Sequence, residues 1–115
     1  MTPETLALAR AICGMEGAIP FADMGRYLRV DDDRLVGEAG VVWALDPEQR
    51  RWILDLDAPA TGGALLPYVG SGWVIYQRDH DGVWEISRPD GEDRSKGETL
   101  GIALAKVIAV RGWKP

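Results

Sequence analysis

The sequence is poor in the residues that most often carry chemistry. It holds one cysteine, Cys13, and one histidine, His80. A single thiol excludes an internal disulfide, and one Cys with one His cannot supply the ligands of a structural zinc cluster. No apolar run is long enough to span a bilayer; the longest, residues 101–110, is broken by Lys106. Positive charge is scarce as well: 13 Lys and Arg stand against 18 Asp and Glu, for a net charge of -5. That balance argues against a general nucleic-acid binder, which needs a basic face to neutralise phosphate, and against docking on an anionic membrane. Residues 1–11 lack a basic segment followed by a long apolar one, so no signal peptide is read and the cytoplasm is the expected compartment. A lone thiol suits a reducing environment.

What is present suffices for one domain. The chain has 115 residues, 46% of them hydrophobic, and a chain of this size buries roughly 65% of its unfolded surface. The first expected element is a helix. Thr2 can cap it, Pro3 suits the first helical position, Glu4 lies where the helix dipole favours an acid, and Leu6, Ala9, Ile12 and Cys13 share one stripe. Gly14 and Gly17 end it. A second short helix is expected over residues 21–28, between Pro20 and the run Asp31, Asp32, Asp33.

The middle reads as two hairpins. Residues 41–45 and 51–57 flank a turn, and a four-residue loop, residues 47–50, pairs Leu45 with Trp52, Trp43 with Leu54 and Val41 with Leu56. All six apolar side chains then share a face, whereas a five-residue loop would set Val41 beside Asp55 and break the pattern. The same register puts Asp46 opposite Arg51, a favourable cross-strand pair. The opposite face would carry Val42, Ala44, Ile53 and Asp55, a mixture that suits a binding surface. Residues 58–67, rich in Pro, Gly and Ala, read as a loop. The second hairpin, residues 73–78 and 83–88, turns at Asp81-Gly82 and sets Ile75 opposite Ile86 and Gln77 opposite Trp84. The last helix runs over residues 99–110, with Ser95 and Glu98 as its capping box and Gly112 as its stop. The fold class is therefore α+β: an antiparallel sheet of four or more strands, built from both hairpins, with N-terminal and C-terminal helices packed on one face.

Most constellations that could carry chemistry have an ordinary structural use. Cys13 lies on an apolar stripe and His80 at a hairpin tip, so a Cys/His nucleophile is not expected. The contiguous run Asp31, Asp32, Asp33 points its carboxylates in different directions and lacks the alternation of a calcium loop. Asp55 and Asp57 share one side of a strand and are the only pair suited to acid/base work, which would require a deep pocket beside them. Lys96 precedes Gly97, which is not the order of a phosphate-binding loop. Five Trp exceed what one sheet face hides, so Trp73, Trp84 and Trp113 are candidate interface anchors. The acids cluster in loops, Asp31 to Asp33, Asp79 and Asp81, and Asp90, Glu92 and Asp93; gathered at one end they would form a negative patch. The last helix is apolar nearly all round, which calls for internal packing or for a second copy held through Ile102, Lys106, Ile108 and Ala109.

Two segments carry a resemblance. Residues 6–17, Leu-Ala-Leu-Ala-Arg-Ala-Ile-Cys-Gly-Met-Glu-Gly, resemble the leader helix of small phage and prophage proteins of GC-rich bacteria. Residues 82–87, Gly-Val-Trp-Glu-Ile-Ser, with the polar loop and the Ala- and Leu-rich helix that follow, resemble the phage ABA-sandwich small-protein family. Together they span about half the chain; the central hairpin and residues 58–67 do not follow that pattern. The resemblance implies an origin on a mobile element, and it offers no catalytic residues to carry over.

Three functions follow as expectations. The first is a non-enzymatic module that acts by occupying the surface of a host protein or nucleoprotein complex, without cofactor or direct nucleic-acid contact. Its sharper form, which the resemblance implies, is a phage-encoded inhibitor of a nucleic-acid-handling complex, similar to anti-CRISPR proteins, with the acidic loops facing basic residues of the partner. The second is a homodimeric accessory protein joined through the last helix. The third is a small enzyme using Asp55 and Asp57.

Overall fold

The computed structural model describes residues 1–18, 27–31, 33–37, 40–89 and 93–114, with the backbone alone for residues 27–31. Its helices are α1 (Pro3–Cys13), α2 (Pro59–Leu65) and α3 (Leu100–Arg111), with a 3-10 turn at Leu66–Tyr68. The strands are β1 (Tyr27–Asp31), β2 (Arg34–Gly37), β3 (Val42–Leu45), β4 (Trp52–Leu54), β5 (Val74–Gln77), β6 (Trp84–Ser87) and β7 (Arg94–Gly97).

The class is α+β with antiparallel strands, and both hairpin registers match the sequence reading. Trp43 faces Leu54 and Leu45 faces Trp52; Ile75 faces Ile86 and Gln77 faces Trp84. The two hairpins do not join one sheet, however. The first belongs to a sheet ordered β1-β2-β3-β4 and the second to a sheet ordered β5-β6-β7. The physical reason lies in the segment between them. Residues 58–67 form α2 and the 3-10 turn rather than a loop. Thr61 of α2 is fully buried, and its Oγ1 accepts from Val42 N–H at 3.2 Å. Gly62 lies so near α3 that a Cβ there would stand 2.9 Å from Leu100 Cβ. Glycine that reads as a loop signal instead permits close packing between helices.

The helices are not laid on one sheet. α1 packs on β4 and α3, while α3 packs on α1, α2, β6 and β7. Seven of the twelve residues of α3 are buried, so an apolar helix is covered inside the molecule. Gly101 brings it against the chain at Leu56, where a Cβ would meet Leu56 O at 2.6 Å. One core joins both sheets and includes Ile12, Trp43, Ile53, Leu54, Ile86, Leu104 and Ile108. Fully burying each such aliphatic side chain contributes about 1.5–3 kcal/mol.

Three further expectations are corrected. The cap of α3 is Thr99, which accepts from Ile102 N–H at 3.1 Å and donates to Leu56 O. Ser95 belongs to β7, pairs with Ile86 and donates to Ala103 O at 2.8 Å. The face of β3 and β4 expected to bind is interior instead: Val42, Ile53 and Asp55 are buried. Residues 21–26 of the expected second helix lie outside the described residues, and Tyr27 and Leu28 are strand, paired with Gly37 and Val36. The N-terminal helix is as expected, with Thr2 Oγ1 accepting from Thr5 N–H at 3.2 Å.

A buried ion pair ties α1 to the first hairpin. Asp46 stands opposite Arg51 as expected, its N–H donating to Arg51 O at 2.8 Å, but its fully buried carboxylate is held by Arg10: Arg10 Nε donates to Oδ2 at 2.6 Å and Nη2 to Oδ1 at 2.7 Å. Asp46 also accepts from Glu48 N–H at 2.9 Å, which fixes the turn. The Arg10 guanidinium holds this carboxyl well below the ordinary carboxylate range. A bidentate partner and a backbone donor satisfy a charge that would otherwise be costly to bury.

Candidate functional site

Charge gathers in several concavities among the described residues, and two of them bear on function. The first is a groove of about 280 Å³ between β7, α3 and Trp73. Strand alternation places Arg94 and Lys96 on one side of β7, and Lys106 and Arg111 come from the exposed side of α3. Among the described residues, four cations line the groove against one carboxylate, Asp93. Asp93 is engaged by Arg111 Nη1 at 2.5 Å and by Arg88 Nε at 3.7 Å. Both of those guanidinium groups also lie over the Trp73 ring, at 5.1 Å for Arg88 and 5.8 Å for Arg111. Trp73 Nε1 donates to Val69 O at 2.9 Å, which fixes the indole. Lys96 meets Glu85 at 3.4 Å, and Lys106 donates to Lys96 O at 2.7 Å. Arg94 and Lys106 have no carboxylate partner among the described residues. The groove is thus a local excess of positive charge in a chain of net charge -5.

The second concavity is a half-open cleft of about 700 Å³ beside β3, β4 and the start of α1. It is lined by Asp33, Asp55 and Asp57, by Arg34 and Arg50, and by apolar wall residues such as Leu6 and Leu45. Asp55 and Asp57, the pair singled out in the sequence, therefore do stand beside a pocket. Asp55 is not on the solvent side of its strand; its side chain is 5% exposed and Arg34 Nη2 lies 3.6 Å from it.

The structure disperses the acidic residues expected to form one patch. Asp79 and Asp81 occupy the turn between β5 and β6, whereas Asp93 sits at the other end of β6. Asp33 lines the cleft beside the other sheet. Asp81 accepts from Val83 N–H at 3.0 Å and meets Arg78 at 3.6 Å and His80 at 3.4 Å; the Val83 bond above all lowers its pKa. Asp32, Asp90 and Glu92 lie outside the described residues, as does the side chain of Asp31.

The tryptophans rim the core. Trp43 is buried; Trp52, Trp73, Trp84 and Trp113 are half-buried and pack against it. Trp113 Nε1 donates to Ile12 O at 2.8 Å, and its ring meets Tyr68 edge-on at 5.6 Å. The freely exposed large apolar residues are others, among them Val74, Tyr76 and Val110. Of the residues assigned to self-association, Ile102 and Ile108 are buried in the core. Lys106 and Ala109 are exposed. Cys13 is half-buried against the core, where burial raises its pKa, and His80 stands at its hairpin tip. No group of three metal-ligating side chains occurs among the described residues, and no helix there is long and apolar enough to cross a membrane.

Trp73, Asp93 and Lys106, drawn from separate sequence arguments, meet in the basic groove. The segment holding Arg94 and Lys96 was weighed as an anion site and set aside in favour of a helix cap, and Arg111 was not singled out. Their signal was the alternation of Arg94 and Lys96, which reading residues 95–98 as a capping box concealed. The pairs Arg10–Asp46 and Arg34–Asp55 join residues distant in sequence, and no local pattern announces them.

No family model matches the chain, and no similar curated protein or solved structure is found.

Proposed function

We propose that the protein is a non-enzymatic binding module, acting in the cytoplasm, that occupies the surface of a protein partner presenting an acidic segment. One observation carries this reading: four cations gathered around Trp73, two of them without a carboxylate partner among the described residues, in a chain that is acidic as a whole. Segregated charge steers association and selects partners of opposite sign. A half-buried indole flanked by guanidinium groups has the composition of a binding hot spot. The sharper reading, an inhibitor of a nucleic-acid-handling complex, rests on the phage resemblance and on the acidic loops. The described acids of those loops are divided between two ends of one sheet and the flank of another. The contact is therefore assigned to the basic groove instead. A protein segment is favoured over nucleic acid because net negative charge opposes the approach of a long polyanion.

The test is fluorescence anisotropy of a labelled Glu-rich peptide, measured at low and high salt beside a single-stranded oligonucleotide of equal charge. The peptide is expected to bind, and added salt to weaken it, because exposed charge contacts are screened. The double variant Arg94→Glu, Lys106→Glu should bind about tenfold more weakly or worse, the scale of losing two exposed pairs and gaining two repulsions. Equal binding by that variant, or tighter binding of the oligonucleotide, would overturn the proposal.

A further inference from the structure

The larger cleft plays no part in that reading, yet its chemistry is specific. Asp55 lies at its base with a side chain only 5% exposed. Oδ1 accepts from Asp57 N–H at 3.1 Å. Among the described residues Oδ2 meets only Arg34 Nη2, at 3.6 Å, a separation longer than a hydrogen bond, and the Arg34 side chain is 53% exposed. A carboxylate so buried gains most from a short, charge-assisted donor, and the loose arginine does not provide one. The cleft already holds an ammonium against a carboxylate, since the Met1 amine lies 3.5 Å from Asp57 Oδ2. A second guanidinium, Arg50, stands on its wall, and Leu6, Leu45, Pro47 and Pro59 make the wall between apolar. A volume of about 700 Å³ is in the range of small-molecule sites.

We infer that this cleft binds a small zwitterion, an apolar α-amino acid or a short peptide of that kind. Its ammonium takes the open oxygen of Asp55. Its carboxylate takes Arg34, released from its long ion pair, together with Arg50. Its side chain lies on the apolar wall. Both charges of the ligand are required, because the cleft offers acceptors and guanidinium donors together.

The probe is L-leucine, titrated at millimolar concentration into the isotopically labelled full chain and followed by amide chemical shifts. Saturable shifts are expected at residues 33–34, 45, 50 and 55–57. Isoamylamine, which lacks the carboxylate, and 4-methylpentanoate, which lacks the amine, should each bind about tenfold more weakly, the scale of one charge-assisted hydrogen bond. Asp55→Asn should abolish the shifts. Arg50→Gln, at an exposed position, should weaken binding without disturbing the fold, and it carries the test if Asp55→Asn does not fold. The inference is overturned if leucine produces no saturable shifts in the cleft, if either half-ligand binds as well as leucine, or if Arg50→Gln binds unchanged. None of these results bears on the basic groove, which lies on the other sheet.

Discussion

The two sheets start from similar hairpin signals and end in different environments. In the first, Val42, Trp43, Ile53 and Leu54 are all buried, so neighbouring residues with opposite orientations both face interior. In the second, Ile86 is buried while Val74 and Tyr76 stand more than half exposed. A strand covered on both faces reads as a continuous apolar run, and a strand covered on one face alternates. Trp-Ile-Leu in β4 and Val-Ile-Tyr-Gln in β5 carry that difference. The first sheet thus anchors the structure, with its charges at Asp46 and Asp55 drawn inside. The second leaves Val74 and Tyr76 exposed, and its strand β7 lends Arg94 and Lys96 to the groove.

Substitutions can break this contrast, and the largest effect is expected where α3 joins the sheets. Ile108→Asp places an unpaired charge at a fully buried site and should leave no folded protein by circular dichroism. Val110→Asp, two positions on and 86% exposed, should fold normally. A folded Ile108→Asp chain would show that this helix is not core. Next comes Leu54→Ala in the first sheet, expected to cost about 2–5 kcal/mol in denaturant unfolding. Tyr76→Ser in the second should change stability by about 1 kcal/mol or less. Equal losses at the two sites would erase the distinction between the sheets.

Acid should act through the first sheet. The folded-state pKa of Asp46 is depressed, so its contribution is complete above the unfolded carboxyl value of about 4 and is lost as pH falls below it. Melting temperature should therefore fall in that window, and Asp46→Asn should flatten the slope there. A slope unchanged in Asp46→Asn would show that other carboxylates govern the acid limb. A small gain is expected at Arg50, whose φ of 55° is left-handed. Arg50→Gly should gain about 1 kcal/mol by relieving a conformation that side chains disfavour.

Much of the local structure was legible in the sequence, and the reasons are visible in particular residues. The four-residue loop ending at Arg50 fixed the register of β3 and β4 because a slip would have turned Asp55 toward the apolar partners. Asp81-Gly82 fixed β5 and β6 in the same way, with Gly82 at φ 71°. What stayed hidden depends on contacts between distant segments. Gly62 and Gly101 signal a close helix approach only when their neighbours are known. Whether two hairpins share a sheet is decided by α2, whose Pro-Ala-Thr-Gly-Gly beginning reads as a loop. The candidate site was half legible: Trp73, Asp93 and Lys106 each stood out, but nothing local showed that β7 brings Arg94 and Lys96 to them.

The proposed contact with an acidic protein segment is assigned to the second sheet and α3. The most direct measurement is an amide chemical-shift map of the chain titrated with the Glu-rich peptide. Shifts confined to Trp73, residues 93–97 and the exposed side of α3 from Lys106 to Arg111 are the predicted result. Shifts centred on the cleft of Asp33, Asp55 and Asp57, or no saturable shifts at all, would contradict it.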